Sequence, residues 1–594
     1  MLKQIGVFQP SGTINPKTPA QFLNQAYSSL SENCQFIDEM LQNRLGNEVF
    51  IDQELSGAVL FQKQLDFPDN GVLTERRFLV VITTKDIYYL DVDANAFKYL
   101  TPTYTTGTIA VTQGSKTVTG TDTLWAANAK AGDYIRLGAL NGATPVWYEI
   151  DEVVGNTEIT LITAYAGTTA SSQTYTIRKT FTGGRTDYWR YIRIPDKNLG
   201  TVYVFTNGTD YPIYWDGDTA TLAISLSSIP IGKFISILAG RMILFHITES
   251  GQTYPDMARW SAAFDITSFP AVNYKQMPEI KGKIVGLGDL AESVLLFWER
   301  GHSLFYYIGG EFTFTNEFLS KDLGTPAPSS IVTTGEGIKW LGEDLKLHLY
   351  TGSEHRIIAD ELSTKFKGIT PSLLDYIVSG YFPTLRQVRW LMPFGDVAEN
   401  SELIMNDEGY QTWHPWIFEN DNIFCSFGEY QRVTDLYLDD TVEGEKYLDE
   451  EDGYWDDSSL LADAPILLMG GTDGYIYKTD VGLTDDGDAF ESVLRFKKFD
   501  ADLPTHVKRW FKVQPYFKVE AAGSAYVSVR EDDKISFSAE QTYDLTDSTG
   551  ENDIKKTMMT FDANGVTIQP NFRIPNPFRL LGFVLHLSVK QRSR

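Results

Sequence analysis

Ile466-Leu467-Leu468-Met469-Gly470-Gly471-Thr472-Asp473-Gly474-Tyr475-Ile476-Tyr477-Lys478-Thr479-Asp480 is an apolar run that enters an Asp-Gly turn and leaves as an alternating aromatic strand. That is the pattern of two antiparallel strands around a tight turn. Looser copies recur along the chain. Arg77–Ile82 leads through Thr84-Lys85-Asp86 to Ile87–Asp91, and Val202–Phe205 leads through Asn207-Gly208-Thr209-Asp210 to Ile213–Gly217. Val294–Trp298 leads to Leu304–Tyr307, Ile338–Leu341 to Leu347–Gly352, and Val388–Met392 to Glu402–Met405 and Trp413. A lone hairpin cannot bury its apolar face, so such repeats must pack on one another. A β-propeller of short antiparallel blades, spaced at about 40 to 50 residues, is the economical arrangement.

The chain has 594 residues, too many for one core, and 13% of them are aromatic. With Gly plentiful and helical periodicity scarce, the fold class is all-β. Cys34 and Cys425 are the two cysteines, far apart, and do not make a disulfide framework. Met1–Gly6 lacks the apolar core of a secretory signal, and no stretch reaches the 18 or so apolar residues of a membrane span. The expectation is a protein made in a reducing cytoplasm without a membrane segment. Its net charge is −27, from 51 Lys and Arg against 78 Asp and Glu. Duplex DNA carries about one negative charge per 1.7 Å, so this surface does not grip nucleic acid by counterion release. DNA that meets this protein slides past it. The same charge serves solubility alone equally well.

Residues 1–60 read as an arm with a helix. Pro10, Pro16 and Pro19 break the opening segment, and Ala20 to Leu41 reads as one amphipathic helix or two short pieces, with Phe22, Leu23, Tyr27, Leu30, Phe36, Ile37 and Met40 as its apolar members. Such an arm is either disordered or a docking strap. Residues 61–103 form the first propeller segment. From Gly107 the texture turns to Thr, Gly and Val, and 104–179 reads as a small β-barrel or sandwich inserted into the propeller. Residues 180–500 carry the remaining blades, and 501–594 a C-terminal β domain ending in the basic Gln591-Arg592-Ser593-Arg594.

No catalytic signature stands out. The seven histidines show no H-x-x-x-H or H-x-H spacing, and His348, beside an apolar strand, reads as packing. There is no G-x-S-x-G elbow, phosphate loop or paired C-x-x-C. Asn406–Trp413 approximates the Asp-box turn of sialidase-type propellers, with Met405 where Ser or Thr is usual and Trp413 one residue late. In those propellers the box is a structural turn. The acidic run Asp439, Asp440, Glu443, Glu445, Asp449, Glu450, Glu451, Asp452, Asp456 and Asp457 lacks EF-hand spacing and reads as a solvated loop. No cofactor, metal site or enzyme activity is expected.

Several segments nevertheless carry a resemblance. They are the opening Pro19-Ala20-Gln21, Asn24, Asn33 and Ile37–Gly46; Arg259-Trp260-Ser261 before an aspartate turn and Phe269-Pro270; and the closing Pro577-Phe578-Arg579-Leu580-Leu581-Gly582-Phe583. Their order resembles the tail hub or nozzle proteins of short-tailed bacteriophages, also called tail tubular protein B or packaged-DNA stabilisation proteins. Where that family carries Gly-Leu and Arg-Pro-Gly, this chain has Glu39-Met40 and Leu45. The resemblance implies a virion protein in a ring, typically of six copies, below the portal and its adaptor ring. There it extends the DNA channel, retains the packaged genome and supports fibres or spikes. On that reading Asp439 to Asp452 are candidate channel or gate acids, together with the loop 393–402, and Pro10, Ile14, Pro16 and Pro19 are candidate adaptor-docking residues. The alternative is a glycan-binding or glycan-cleaving propeller using exposed aromatics such as Trp413 and Trp416.

Overall fold

In the computed structural model of the chain, the hairpin quoted first has strands Ile466–Gly471 and Ile476–Val481, with Leu468 opposite Lys478 and Met469 opposite Tyr477. Gly474 takes φ +88°, a left-handed conformation open to glycine at little steric cost, and the Tyr475 amide donates to Asp473 Oδ1 at 3.0 Å. The residues described are 2–68, 76–137, 146–278, 282–310, 313–394, 402–418, 423–431, 465–518, 523–546, 554–575 and 577–589.

Strands of this kind assemble into four-stranded antiparallel meanders, the sheet from which propeller blades are made. The chain is all-β, and its α-helices among the described residues are single turns, Trp125–Asn128 and Ser363–Phe366. It divides into two compact units, residues 1–52, 285–305 and 317–594, and residues 53–284 and 306–316.

The second of these units holds three meanders, spanning 59–99, 190–225 and 231–276. It also holds an eight-stranded sheet over 103–178, folded around Ile109, Val118, Trp125, Ile135, Ile150, Ile159 and Ile177. The ends of that sheet lie side by side, because Thr103 pairs with Arg178. Arg178 reaches Asp86 at 2.9 Å and lies over the rings of Tyr99, Tyr134 and Trp147, at 4.1, 5.1 and 5.0 Å. Burial raises the Asp86 carboxyl above the usual carboxylate range, although Arg178 opposes the shift.

The other unit holds meanders over 332–357 and 378–417, and a further blade in which Phe424–Tyr430, Ile466–Gly471 and Ile476–Val481 are joined by Gly46–Val49 from the start of the chain. A sixth four-stranded meander, 284–320, has residues assigned to both units. Buried cations link consecutive sheets in the same way twice. Lys339, on the second strand of the 332–357 sheet, meets Glu408 just beyond the third strand of the next. Arg389, on the second strand of the 378–417 sheet, meets Asp480 on the third strand of the next, with Nη1 at 3.1 Å from Oδ1.

The N-terminal expectation is corrected. Residues 20–41 contain no helix; Ser28–Glu32, Cys34–Ile37 and Met40–Asn43 are strands. Asp38 and Glu39 take φ +51° and +61° between the paired residues Ile37 and Met40, as a two-residue type I′ turn requires, and this hairpin replaces the helix. Nor is residues 1–60 a separate arm. Leu2–Phe8 and Met40–Asn43 pair with Arg579–Val589, and Ser28–Glu32 pairs with Ser492–Phe496. The two sheets so completed share one core, in which Val7, Phe36 and Leu41 pack with Phe496, Trp510, Phe572, Phe583 and Leu585. The C-terminal β domain therefore has strands from both chain ends.

Candidate functional site

The chain leaves strand Leu2–Phe8, runs along the 378–417 sheet, and returns to strand Ser28–Glu32 through a loop that contains the exposed candidate docking residues. Ile14 and Ser28 form a bridge, the Ile14 amide donates to the Trp413 carbonyl at 3.2 Å, and the Ser28 amide donates to the Thr13 carbonyl at 2.9 Å. With its ends joined, 15–27 is a closed surface loop of the Ω type. Leu23 is buried and pins the loop from within, while Pro16 and Pro19 are exposed and Phe22 is 72% exposed. Lys17 hydrogen-bonds Asp360, Asn15 Oδ1 accepts from the Thr18 amide at 3.0 Å, and the Lys498 amide donates to the Ala20 carbonyl at 2.9 Å. Its hydrogen bonds with Lys17, and then with Lys346, hold the Asp360 carboxyl below the usual carboxylate range.

Of the four candidate docking residues, Pro16 and Pro19 therefore share an exposed, fastened loop. Pro10 and Ile14 are corrected: both are buried, Ile14 in the core with Leu347, Trp390 and Trp413. An isoleucine whose amide and side chain are both engaged by its own chain is not available to strap a neighbour. Phe22, an apolar member of the expected helix, is the loop's most exposed large apolar side chain, ahead of Tyr27; only the closure at Ile14 and Ser28 reveals it.

The candidate channel acids Asp439, Asp440, Glu443, Glu445, Asp449, Glu450, Glu451 and Asp452 lie outside the described residues, as do 395–401 of the loop 393–402. Trp413 and Trp416 are 3% and 1% exposed, so the glycan reading loses the two exposed aromatics it named. Trp413 stacks on Trp390, and the Trp416 indole N–H donates to the Cys34 carbonyl at 3.0 Å. Asp407 of the Asp-box-like stretch accepts from the Gly409 and Tyr410 amides at 2.9 and 3.0 Å, shaping its own turn.

A buried junction anchors the segment that follows the loop. Arg44 donates from Nη1 to Asp485 Oδ1 at 2.8 Å, from Nη2 to Asp485 Oδ2 at 2.5 Å, and from Nε to Asn33 Oδ1 at 3.0 Å. Its guanidinium lies 3.8 Å from the Phe490 ring centroid. Both members of the ion pair are sealed from solvent. Nearby, burial pushes the Cys34 thiol up to about 12, leaving it protonated at neutral pH. Among the described residues no group of three His, Cys, Asp or Glu side chains is arranged to hold a metal ion. The chemistry of the 15–27 loop is that of a contact surface: two prolines, an exposed phenyl ring and a cation already engaged.

No family model and no curated protein matches the chain. Among solved structures it is similar to YCF48 bound to D1 peptide, at 10% identity and a TM-score of 0.26, covering 79% of this chain and 98% of that one. It is similar to the exo-β-1,3-galactanase of Phanerochaete chrysosporium, at 10% identity and a TM-score of 0.19, covering 83% and 97%. It is also similar to the endosialidase of phage phi92, at 11% identity and a TM-score of 0.14, covering 68% and 56%.

Proposed function

We propose that this chain is a structural protein of a short bacteriophage tail. Copies form a ring, six by the family resemblance, below the portal and adaptor. The ring extends the DNA channel, retains the packaged genome and conducts it during ejection without gripping it. The adaptor ring and fibre or spike proteins are its partners, and the loop 15–27 makes the adaptor contact. The acids from Asp439 to Asp452 and the loop 393–402 serve the channel or its gate.

The observation that carries the reading is how the residues of the resemblance are used. Gly582, in the closing motif, lies where strand Leu2–Phe8 crosses, and a Cβ there would stand 2.3 Å from the Val7 carbonyl oxygen. Arg259, in the Arg-Trp-Ser motif, donates to the Pro270 carbonyl at 2.9 Å and pairs with Glu249 at 2.9 Å. These motifs fasten chain segments to one another, as suits a part that works by assembly.

Native mass spectrometry and negative-stain imaging of the full chain, with and without the adaptor ring, test the proposal. A six-fold ring with a central opening is expected; a monomer under both conditions overturns it. Removing residues 1–18 is a poor test of docking, because it also strips a strand from the core. Phe22→Asp changes only an exposed side chain, so it should weaken adaptor binding by roughly tenfold, the effect of losing about 1.4 kcal/mol, with Tm unchanged. Unaltered binding removes the loop from the contact. The glycan alternative is read on an array with the same preparation, where specific binding by an isolated monomer favours it.

A further inference from the structure

His302, His348 and His355 are far apart or irregularly spaced in sequence, yet the fold gathers them around one tryptophan. Strands Gly337–Leu341, Leu347–Tyr350 and His355–Ile357 are neighbours in the 332–357 sheet, and His302 begins strand His302–Tyr307. The Trp340 ring stacks on His348 and His355, with centroids 5.4 and 5.5 Å apart, and the two imidazoles stack at 5.0 Å. His302 lies 5.7 Å from Trp340 and 6.1 Å from His355. Gly342 leaves the space this needs, since a Cβ there would stand 2.7 Å from His348 Nε2.

The hydrogen bonds assign the protons. His348 Nε2 is 2.8 Å from Asp344 Oδ1, and an ionised carboxylate only accepts, so His348 carries its hydrogen on Nε2 and a lone pair on Nδ1. That lone pair is 2.9 Å from His355 Nε2, which is therefore the donor. His302 Nδ1 donates to the Leu323 carbonyl at 2.9 Å. The surrounding groups are Asp344 from the turn before Leu347–Tyr350, Trp340 and Tyr350 from the same sheet, and His302 from strand His302–Tyr307. Glu317, on Phe314–Ser320, acts on Tyr350.

One added proton fits. The 2.9 Å contact between His348 Nδ1 and His355 Nε2 survives one added proton on the pair, because one nitrogen of the contact can still donate and the other accept. A second proton does not fit, because His355 would then present an N–H to an N–H at 2.9 Å, cation against cation. Burial holds His302 below the ordinary imidazole range, and partial desolvation, with the neighbouring His348 and His302, does the same for His355 on its exposed edge strand.

We propose that His348, His355 and His302 with Asp344 form an acid switch, which keeps the edge strand His355–Ile357 on Leu347–Tyr350 with at most one added proton and releases it with the second. Asp360, three residues after that strand, is the anchor for Lys17 and Lys346, so release also slackens the hold on the 15–27 loop.

Hydrogen–deuterium exchange of the full chain at about pH 7.5 and about pH 5, normalised for intrinsic exchange rates, reads the switch directly. Peptides over 347–358 should exchange roughly tenfold faster at the lower pH, while those over 579–589 stay protected. His355→Gln keeps a donor for His348 and cannot titrate, so it should retain protection at the higher pH and lose the acid response. Asp344→Asn removes the charge that favours the first proton, and should move the response to lower pH even if the glutamine variant folds poorly. An acid response that is absent in the parent chain, or unchanged in both variants, overturns the proposal.

Discussion

His414 lies on strand Thr412–Ile417 with no exposed surface, and among the described residues neither ring nitrogen has a hydrogen-bond partner. Desolvation alone holds its pKa down to about 3. The folded chain therefore keeps this imidazole neutral where the unfolded chain protonates it, from about pH 6.5 downward. Stability is whole above that value and falls as the pH drops toward 3, by up to about 1.4 kcal/mol per unit. His414→Met removes the titration at similar volume, so its Tm should fall less than the parent's between about pH 7.5 and pH 5. Parallel losses in the two proteins would place the acid sensitivity elsewhere. Arg44 makes the opposite case, a buried charge with a full set of partners. Arg44→Met leaves the Asp485 carboxylate uncompensated and should cost about 3–5 kcal/mol in urea unfolding. Arg44→Met combined with Asp485→Asn should recover part of that loss, because the orphaned charge is gone.

At the scale of elements, what was legible in the sequence depended on whether a turn announced itself. The 466–480 hairpin could be read because Asp473-Gly474 names its own φ requirement and strict alternation follows. The hairpin 34–43 could not. Asp38 and Glu39 both adopt left-handed φ values without glycine, where the 466–480 turn needs only Gly474 to do so, and Phe36, Ile37, Met40 and Leu41 fall at a spacing that fits a helix equally well. Pro16 and Pro19 were readable as loop residues from their chemistry alone. The burial of Ile14 was not, because its partners Trp413 and Ser28 reach it only through tertiary packing, and the His302 cluster was hidden for the same reason. Small-residue strands marked the 103–178 sheet, but not how its ends meet. That meeting yields a prediction: replacing residues 105–176 with a short Gly-Ser linker, while keeping Arg178 beside Asp86, should leave the meander 59–99 folded. Circular dichroism and limited proteolysis would register the outcome. General unfolding would show that the inserted sheet is part of its host's core.

At the scale of the whole molecule the governing quantity is charge. With a net −27 on each copy, the proposed ring of six would bring together roughly −160, and like charges oppose assembly over a Debye length of about 10 Å at 0.1 M salt. In the proposed ring something in each interface must outweigh this repulsion, and apolar contacts between copies would do so without dependence on salt. Added salt then screens the repulsion and leaves the attraction, so the ring population in native mass spectrometry or sedimentation should rise between about 0.05 M and 0.5 M NaCl. If the ring instead dissociates as salt rises, opposite charges meet across the interface, and the apolar account of the contact is wrong. Duplex DNA provides the matching measurement. A polyanion repelled by the same field should show no binding at low salt, where counterion-release binding is strongest. Tight low-salt binding would mean that cations are gathered on one surface despite the net charge, and that DNA is held rather than allowed to slide.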